Sequence, residues 1–360
     1  MSEYYIGVMS GTSLDGVDVT LCEIDKSRCK LIHSLEFPFE SSLKEEILFI
    51  INSTTTIENI GIIDNKLGVL FANSINALLQ KYKIKSENIK AIGLHGQTFW
   101  HRPQGENRFS MQLGCPNVVS AKTNIQVVSD FRAMDMANGG QGAPFAPAFH
   151  QFVFSRLDKK VAVLNIGGMA NITILDSILS GWDTGCGNVL LDMWISKCKN
   201  LPYDKDGLFA KSGEVNRELL DSMLGDSYFK KIPPKSTGRE YFNETWLANY
   251  LPMFQTIKDE DIQATLLELT ALSIANDVEK TDTELLIVCG GGAKNIFLMQ
   301  RLEKLSQVEV KTSDDFGVSS DFMESMAFAW LAYKRVHREV VKLSSVTGAK
   351  KDSILGGMYG

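Results

Sequence analysis

The 360-residue sequence lacks the patterns typical of a metal site, a membrane protein and a nucleic-acid-binding protein. Its six cysteines include no Cys-x-x-Cys pair, which argues against a zinc site and against a disulfide framework. No apolar run approaches the roughly 18 residues of a membrane-spanning helix, and a net charge of −6 disfavours a nucleic-acid partner. Because no basic and apolar leader follows Met1, we expect a cytoplasmic protein with no signal peptide and no membrane partner.

The common nucleotide-binding motifs are also absent. No Gly-Lys-Ser or Gly-Lys-Thr follows a glycine-rich loop, and the first such loop leads into a strand instead of the helix of a dinucleotide-binding fold. The sequence has instead two glycine-rich hairpins, in residues 5–21 and 161–175, each starting at the end of an apolar strand. One hairpin near the start of each half indicates a duplicated nucleotide-binding scaffold.

Helices and strands alternate along the chain. Apolar residues at helical spacing predict a helix over residues 63–83, and a further helix is expected over about residues 261–278. Short apolar strands lie between the helical segments. This alternation predicts an α/β protein. The length fits two domains of about 150 residues each, which we place at residues 1–140 together with 325–360, and at residues 141–324.

The first hairpin turn has the residue types that contact phosphate groups. Its glycines allow the backbone to approach phosphate oxygens, while its N–H groups and the hydroxyls of Thr12 and Ser13 are suitable donors. Asp15 or Asp18 is placed to orient a hydrated Mg²⁺. The alternative is a glycine-bearing hairpin that binds no ligand.

A third glycine run, Gly290, Gly291 and Gly292, lies where a strand meets a helix. A purine base and its ribose can lie flat against backbone at such a junction, and the alternative is a tight turn without a ligand. Three glycine loops at strand ends, spread over both halves, together favour nucleotide binding.

Asp183 is the best candidate for a catalytic base. It lies in a glycine-flanked turn just after a strand, and a carboxylate is the usual base for a hydroxyl or water that attacks a phosphoryl or acetal centre. The alternative is an Asx-turn or helix-capping residue. Glu324 is a second carboxylate, which lies among apolar residues of the last helix or marks the exposed edge of that helix.

Three further polar groups are candidates for binding a sugar. The strand that ends at His95-Gly96-Gln97-Thr98 offers groups for hydroxyls, Arg132 suits a carboxylate, and the segment from Lys235 to Arg239 suits an anion. The alternatives are a histidine satisfied within its turn, a surface pair of Arg132 with Asp130, and a solvated loop. The candidate substrate-binding residues are His95, Gln97, Thr98, Arg132, Lys235 and Arg239.

Eight motifs run in one order across nearly the whole chain, and together they resemble the anhydro-N-acetylmuramic acid kinase family. These motifs are Gly11-Thr12-Ser13-Leu14-Asp15-Gly16-Val17-Asp18, Gly93-Leu94-His95-Gly96-Gln97-Thr98, Asp130-Phe131-Arg132, Gly139-Gly140-Gln141-Gly142-Ala143-Pro144, Asn165-Ile166-Gly167-Gly168-Met169-Ala170-Asn171, Asp183-Thr184-Gly185, Pro234-Lys235-Ser236-Thr237-Gly238-Arg239-Glu240 and Glu324-Ser325-Met326-Ala327-Phe328-Ala329-Trp330.

The resemblance implies the fold and the reaction. That family belongs to the sugar kinase, Hsp70 and actin superfamily, which implies two ribonuclease-H-like (actin-like ATPase) domains flanking a nucleotide cleft. The implied reaction uses ATP and water to convert 1,6-anhydro-N-acetylmuramic acid into N-acetylmuramic acid 6-phosphate in cell-wall recycling. Asp183 would activate the water, Glu324 would be a second carboxylate near the reacting centre, and a homodimer is expected.

The resemblance also assigns the nucleotide site, with ATP and Mg²⁺ as cofactors and Asp15 as a metal ligand through water. The implied ATP-binding residues are Gly11, Thr12, Ser13, Leu14, Asp15, Gly16, Val17, Asp18, Gly167, Gly168, Asn171, Gly290, Gly291 and Gly292. One departure is visible, because Cys186 follows Asp183-Thr184-Gly185 where the family usually has a proline. A proline would stiffen this turn, so the cysteine bears on the positioning and the redox sensitivity of the base.

Other functions fit parts of the pattern. One is a related kinase of another anhydro-sugar such as levoglucosan, which has no carboxylate for Arg132 or for the segment from Lys235 to Arg239. Another is a non-catalytic ATP-dependent clamp, against which the presence of Asp183 argues. A substrate-sensing protein without turnover is a third.

Overall fold

The computed structural model describes residues 2–11, 14, 16–254 and 256–360. The chain forms two compact units, unit 1 with Met1–Val153 and Phe322–Gly360, and unit 2 with Phe154–Asp321. Each unit contains one large sheet with helices packed against it.

The strands are β1 Glu3–Ser10, β2 Gly16–Ile24, β3 Cys29–Pro38, β4 Ile89–Leu94, β5 Gln97–Arg102, β6 Phe109–Leu113, β7 Val127–Ser129, β8 Val161–Ile166, β9 Met169–Leu175, β10 Ser180–Cys186, β11 Leu285–Cys289, β12 Glu309–Thr312 and β13 Gly357–Tyr359. The helices are α1 Ser41–Asn52, α2 Ile57–Lys81, α3 Pro116–Thr123, α4 Phe131–Ala137, α5 Ala146–Phe154, α6 Val189–Lys199, α7 Leu208–Ser212, α8 Arg217–Leu224, α9 Glu244–Ala248, α10 Asp259–Val278, α11 Ile296–Ser306, α12 Met323–Val336 and α13 Ser344–Thr347. None of the helices in the part of the chain that the structure describes combines the length and the apolar character of a membrane span.

The two large sheets share a five-strand order, to which unit 1 adds a sixth strand, β13, at one edge. In unit 1 the order is β13-β7-β4-β1-β2-β3 and in unit 2 it is β10-β9-β8-β11-β12. In chain order, the first three strands of each sheet, β1 to β3 and β8 to β10, pair antiparallel. The next two, β4 and β7 in unit 1 and β11 and β12 in unit 2, are added beside β1 and β8 in parallel. This is the ribonuclease-H-like order twice, so the expected duplicated α/β scaffold is confirmed.

Helix α12 packs very closely on the sheet of unit 1. The helix is buried along most of its length, and a Cβ added at Gly7 in β1 would lie 1.8 Å from the carbonyl oxygen of Ser325. Only glycine permits this approach. The close packing fixes the first turn of α12, where Glu324 lies, against β1.

Helix α2 of unit 1 forms for the reasons that its sequence predicts. Leu67, Phe71 and Ile75 recur at a spacing of four residues and are fully buried against the sheet. The side chain of Thr56 caps the first turn by accepting a hydrogen bond from the N–H of Asn59 at 3.2 Å. The helix is therefore an amphipathic element with an apolar inner face.

Unit 2 has a cluster of aromatic rings beneath the segment that leads from α8 to α9. Tyr228, Phe242 and Trp246 are buried, and adjacent rings meet edge to face at 5.4 and 5.1 Å. Asp226 accepts hydrogen bonds from Tyr241 at 2.7 Å and from the indole of Trp246 at 2.9 Å. These contacts fix the two ends of the irregular segment between the helices.

Candidate active site

Asp183 lies in strand β10, at an irregularity of the sheet. It pairs with Asn171 of β9, and the register then shifts between Asp183 and Gly185. A bulge of this kind bends a strand and re-aims its side chains, and bulges are frequent next to active sites. The expected position of Asp183 in a turn after a strand is therefore wrong, because the residue lies inside β10, and the alternative of a helix-capping residue is excluded as well.

The carboxylate of Asp183 is half-buried and held in place. The N–H of Thr237 donates to its Oδ2 at 2.9 Å, and the hydroxyl of Tyr228 donates to the backbone carbonyl of Asp183 at 2.8 Å. Burial raises the pKa of Asp183 and the nearby Glu240 raises it further, whereas the Thr237 N–H and the Lys235 ammonium lower it. A fixed carboxylate with a raised pKa is suited to act as a general base.

A row of polar side chains leads from Asp183 across the sheet. Asp183 pairs with Asn171 of β9, and Asn171 pairs with Asn165 of β8. Directly paired residues point to the same face of a sheet. Asn165 pairs in turn with Cys289 of β11, the residue before Gly290. The row, defined as Asp183, Asn171 and Asn165, therefore joins the candidate base to the third glycine run.

The second glycine turn has space beside Gly167, where an added Cβ would meet only the carbonyl oxygen of Met169 within 4 Å, at 3.7 Å. The carbonyl oxygens of Gly167 and Gly168 accept hydrogen bonds from the N–H groups of Asn188 and Gly187 at 2.8 and 2.9 Å. Arg239 lies against the turn, with its Nε 3.5 Å from the position of a Cβ on Gly168. The exposed guanidinium of Arg239 is thus placed beside the candidate phosphate-binding turn.

The third glycine run borders a cavity. Gly290 has φ +80°, and a Cβ there would lie 2.4 Å from Oδ1 of Asn165, so only glycine fits. Gly291 lines a cavity of about 450 Å³, within the range of about 300–1,000 Å³ that is typical of small-molecule sites. The other lining residues are Asn188, Leu191, Asp192, Pro202, Tyr203, Asp204, Lys205, Asp206, Lys294 and Asn295.

Asp192 is the cavity residue with an unusual charge environment. Burial raises its pKa to about 6, Arg239 opposes this increase and Asp204 adds to it. Sequence reasoning did not find Asp192, Asn165 or Thr237 as site residues. For Asn165 a signal was present, because it is an amide at the end of the apolar strand Val161–Ile166.

The first glycine turn is only partly described. Thr12, Ser13 and Asp15 lie outside the described residues. The N–H of Leu14 donates to the carbonyl of Gly11 at 3.3 Å, and the strand that begins at Gly16 contains Val17 and Asp18. The phosphate contacts and the metal contact expected of this turn stay predictions.

Unit 1 brings His95 and Arg132 together. Nη2 of Arg132 donates to Nε2 of His95 at 2.8 Å and Nη1 donates to the carbonyl of Gly142 at 2.7 Å. Nε of Arg132 is buried and has no hydrogen-bond partner in the described part of the chain. An unsatisfied buried donor is costly, so Nε is a candidate ligand contact. The expected alternative, a pair with Asp130, does not form among the described residues.

The charges in this group follow from burial. Burial and the neighbouring Arg132 lower the pKa of His95 to about 3, so that its ring is neutral at pH 7. Burial lowers the pKa of Arg132 to about 10, which leaves it charged. Glu324 lies at an exposed edge of the first turn of α12. The surrounding protein still removes part of the water from its carboxyl group, which raises its pKa, and Arg132 opposes the increase. The positive charge of Arg132 therefore lies near the neutral ring of His95 and the carboxyl group of Glu324.

The other candidate sugar ligands of unit 1 already have protein partners. The hydroxyl of Ser10 donates to Oε1 of the buried Gln97 at 2.5 Å. The side-chain amide of Gln112 donates to the hydroxyl of Thr98 at 3.3 Å. In unit 2, the ammonium of Lys235 lies in the interior and pairs with Asp277, so the segment from Lys235 to Arg239 is not a wholly solvated loop.

The model of a protein family described as anhydro-N-acetylmuramic acid kinase matches residues 3–360. The chain belongs to this family. It is therefore a kinase, and the resemblance seen in the eight sequence motifs is confirmed.

Curated relatives bear the same description over their full length. The chain is 58% identical to the anhydro-N-acetylmuramic acid kinase of Sulfurimonas denitrificans over 367 aligned residues, which cover 100% of both chains. It is 55% identical to the enzyme of that name from Sulfurovum sp., with 99% of each chain covered. It is 47% identical to that from Mannheimia succiniciproducens, with 100% of this chain and 99% of the relative covered.

Solved structures with low sequence identity share the fold of this kinase. The 2-hydroxyisocaproyl-CoA dehydratase activator of Clostridium difficile matches with a TM-score of 0.50 at 13% identity, over 93% of this chain and 96% of that one. Component A of the Acidaminococcus fermentans (R)-2-hydroxyglutaryl-CoA dehydratase matches with a TM-score of 0.51 at 14% identity, over 93% and 99%. This likeness concerns the fold alone.

Proposed function

We propose that the protein uses ATP and water to convert 1,6-anhydro-N-acetylmuramic acid into N-acetylmuramic acid 6-phosphate in peptidoglycan recycling. Family membership over residues 3–360 supports the substrate and the reaction. The observation that carries the chemistry is the half-buried Asp183 carboxylate, which Thr237 holds at one end of a polar row that leads to Gly290.

Asp183 acts as the base in the first of two steps, the opening of the anhydro ring by water, which precedes phosphoryl transfer. Its carboxylate takes a proton from water while the water oxygen bonds to C1 of the sugar and the bridging C1–O6 bond breaks. O6 then bonds to the γ-phosphorus of ATP, the bond from that phosphorus to the β-phosphate oxygen breaks, and ADP leaves. The proton taken by Asp183 is released to solvent at the end of the cycle.

Unit 2 offers the groups that would bind ATP. The open turn at Gly167 and Gly168, with Arg239 beside it, suits the phosphates. The cavity beside Gly291, of about 450 Å³, suits the base and ribose. Asn165 and Asn171 of the polar row pair with each other on either side of the turn at Gly167 and Gly168, and their amides can donate to phosphate oxygens or to water.

Mg²⁺ fits this donor set as an ion carried by the triphosphate. Within the described ranges, no group of three or more His, Cys, Asp or Glu side chains could hold a metal ion. Mg²⁺ usually keeps several waters and binds one or two carboxylates together with substrate phosphates, and Asp15 is the carboxylate proposed to contact it through water. When bound, the ion neutralises charge on the phosphates.

Unit 1 offers the groups that would recognise the sugar. Arg132, with its unpartnered Nε, is proposed to bind the lactyl carboxylate of muramic acid. The neutral ring of His95 and the amide of Gln97 are proposed to orient sugar hydroxyls. Glu324 is a second carboxylate, for which we propose a role near the reacting centre.

The reaction is tested by mass-resolved turnover in ¹⁸O-water with Mg-ATP and the anhydro-sugar. We expect one ¹⁸O in the sugar part of the 6-phosphate product, at C1, and none in the phosphoryl group. The Asp183→Asn variant should lose this product, whereas the matched surface control Asp176→Asn should retain it, because Asp176 is exposed away from the row.

Exchange of the C1 hydroxyl with water is measured separately. Unlabelled product incubated with each enzyme in ¹⁸O-water gives the rate of exchange, which must be slower than the appearance of labelled product.

ADP formation without a phosphosugar would contradict the proposed substrate and would favour a clamp or another sugar. Turnover of levoglucosan at an equal rate would favour the related kinase.

We also propose that the protein is a cytoplasmic homodimer. The support for a reducing compartment is that none of its six cysteines, all of them in the described ranges, forms a disulfide. The family resemblance supports the dimer. Light scattering after size-exclusion chromatography tests the dimer, and a mass equal to one chain would contradict it.

A further inference from the structure

Unit 2 contains a fully buried ion pair close to the candidate base. Nζ of Lys235 lies 2.9 Å from Oδ2 of Asp277, with 2% and 1% of the two side chains exposed. Asp277, near the end of α10, also accepts from the indole N–H of Trp182 at 3.0 Å and pairs with the half-exposed Lys280 at 2.7 Å. Because the desolvation of a buried ion pair tends to cancel its attraction, stability alone does not account for this placement.

The backbone next to the buried lysine holds Asp183 directly. The carbonyl of Lys235 accepts from the N–H of Asp183 at 3.0 Å, and the N–H of Thr237 donates to the Asp183 carboxylate at 2.9 Å. Tyr228, which donates to the Asp183 carbonyl, has its ring 5.3 Å from Nζ of Lys235. The segment from Lys235 to Thr237 thus contacts Asp183 at both its backbone and its carboxylate, and Asp277 anchors this segment to α10.

We infer that Lys235 is a positioning residue, which through its ion pair with Asp277 fixes the Asp183 carboxylate for catalysis and makes no contact with the sugar. This inference rests on the proposed function, in which Asp183 is the base. It replaces the direct sugar contact that the sequence suggested for Lys235. The anchored segment gives the base a defined direction, and the ammonium supplies a fixed positive charge near it.

The ammonium also affects the protonation of the base. Burial and Glu240 raise the pKa of Asp183, while Lys235 and the Thr237 N–H lower it. A base must be deprotonated, so the rate falls as the pH drops below its pKa. Removing the ammonium raises that pKa further, and the acid limb of the kcat profile then moves to higher pH.

The test is the pH profile of kcat for the full-length Lys235→Met variant. We expect kcat to fall about 100-fold, as for a base misplaced by about 1 Å, with the acid limb at higher pH and the KM for ATP unchanged. Lys235→Arg keeps a positive charge beside Asp183 and the pair with Asp277, so its acid limb should not move to higher pH even where the larger side chain lowers kcat. A merely structural pair would give similar losses in both variants and no difference between their profiles.

Two further variants make the result decisive. Lys280→Met removes the exposed partner of Asp277 and should leave kcat and its pH profile unchanged. The double variant Lys235→Met/Asp277→Asn leaves neither charge of the pair in the interior. If Lys235→Met does not fold, the double variant replaces it, with the same expected fall in kcat and the same move of the acid limb to higher pH.

The failure of this inference is distinct from the failure of the proposed function. An Asp183→Asn variant with full turnover would overturn the role of the base, whatever Lys235 does. An inactive Asp183→Asn variant together with wild-type kcat and pH profile in folded Lys235→Met protein would overturn the positioning role alone. Near-UV circular dichroism establishes that each variant is folded.

Discussion

Units 1 and 2 share one strand order, but their equivalent helices bury different chemistry. Helix α2, which precedes β4, buries apolar side chains and, as its polar residue, Ser74, whose hydroxyl donates to the carbonyl of Phe71 in the same helix. Helix α10, which precedes β11, buries Glu268 and Asp277. The fold therefore determines where a helix lies but not what it buries.

The buried charges of α10 are tied to neighbouring elements. Glu268 accepts two hydrogen bonds from Arg301 of α11, at 2.7 and 2.6 Å, and Asp277 pairs with Lys235 beside the candidate base. In unit 1 the charge near the candidate sugar site is instead that of Arg132, in the first turn of α4, which meets His95. From this contrast we expect variants of Asp183 in unit 2 to affect turnover and variants of Arg132 in unit 1 to affect sugar affinity.

The largest effect should come from Asp183→Asn in unit 2. An amide cannot accept the proton of water, so kcat should fall about 10²- to 10⁴-fold, while the amide retains the acceptor for the Thr237 N–H. Steady-state ADP release gives kcat, and calorimetric titration gives the affinity for ATP, which should be unchanged. A fall in ATP affinity with unchanged kcat would contradict the role of Asp183 as the base and would indicate a role in binding ATP.

The next effect should come from Arg132→Gln in unit 1. Losing a charged hydrogen bond to the lactyl carboxylate should raise the KM for the sugar about 10- to 100-fold. Kinetics with an anhydro-sugar that lacks the lactyl group provide the check, since Arg132→Gln should affect that substrate much less. Arg102→Gln, at an exposed position of β5, is the matched control, and equal losses on both sugars would contradict a carboxylate contact.

The two helices should differ in their effect on stability. Glu268→Gln weakens a buried charged pair and should lower the free energy of unfolding by about 2–3 kcal/mol. Ser74→Ala removes one local hydrogen bond and should cost about 1 kcal/mol or less. Urea unfolding followed by circular dichroism compares the two variants. Equal shifts of the unfolding midpoint would show that the charge of Glu268, paired with Arg301, contributes no more to stability than the local hydrogen bond of Ser74.

The sequence predicted the duplicated scaffold because each half has its own local pattern. A glycine-bearing hairpin followed by a helical segment and an apolar strand can be recognised from neighbouring residues, and α2 and α10 lie close to the predicted segments. The polar row could not be predicted, because it depends on strand register, which pairs Asn165 with Asn171 and Asn171 with Asp183.

The location of Lys235 was also beyond sequence reasoning. A lysine in a segment with serine, threonine and glycine has the pattern of a solvated loop, and its partner Asp277 is far away in the chain. Only the three-dimensional packing brings the two charges together. Residues whose function depends on distant partners are therefore the ones that local patterns miss.

The smallest effect should come from Cys186, the last residue of strand β10, three positions after Asp183 in unit 2. Its side chain is fully buried, with Sγ 3.9 Å from the hydroxyl of Thr270, and burial raises the pKa of its thiol to about 12. The reactive thiolate is thus almost absent at neutral pH. Iodoacetamide should leave Cys186 unmodified in the native protein while it labels the more accessible Cys115 and Cys198, and peptide mass spectrometry checks this, with urea-unfolded protein as the fully labelled control. Modification of native Cys186 with loss of turnover would mean that the end of β10 opens and that a change at this thiol reaches the base of unit 2.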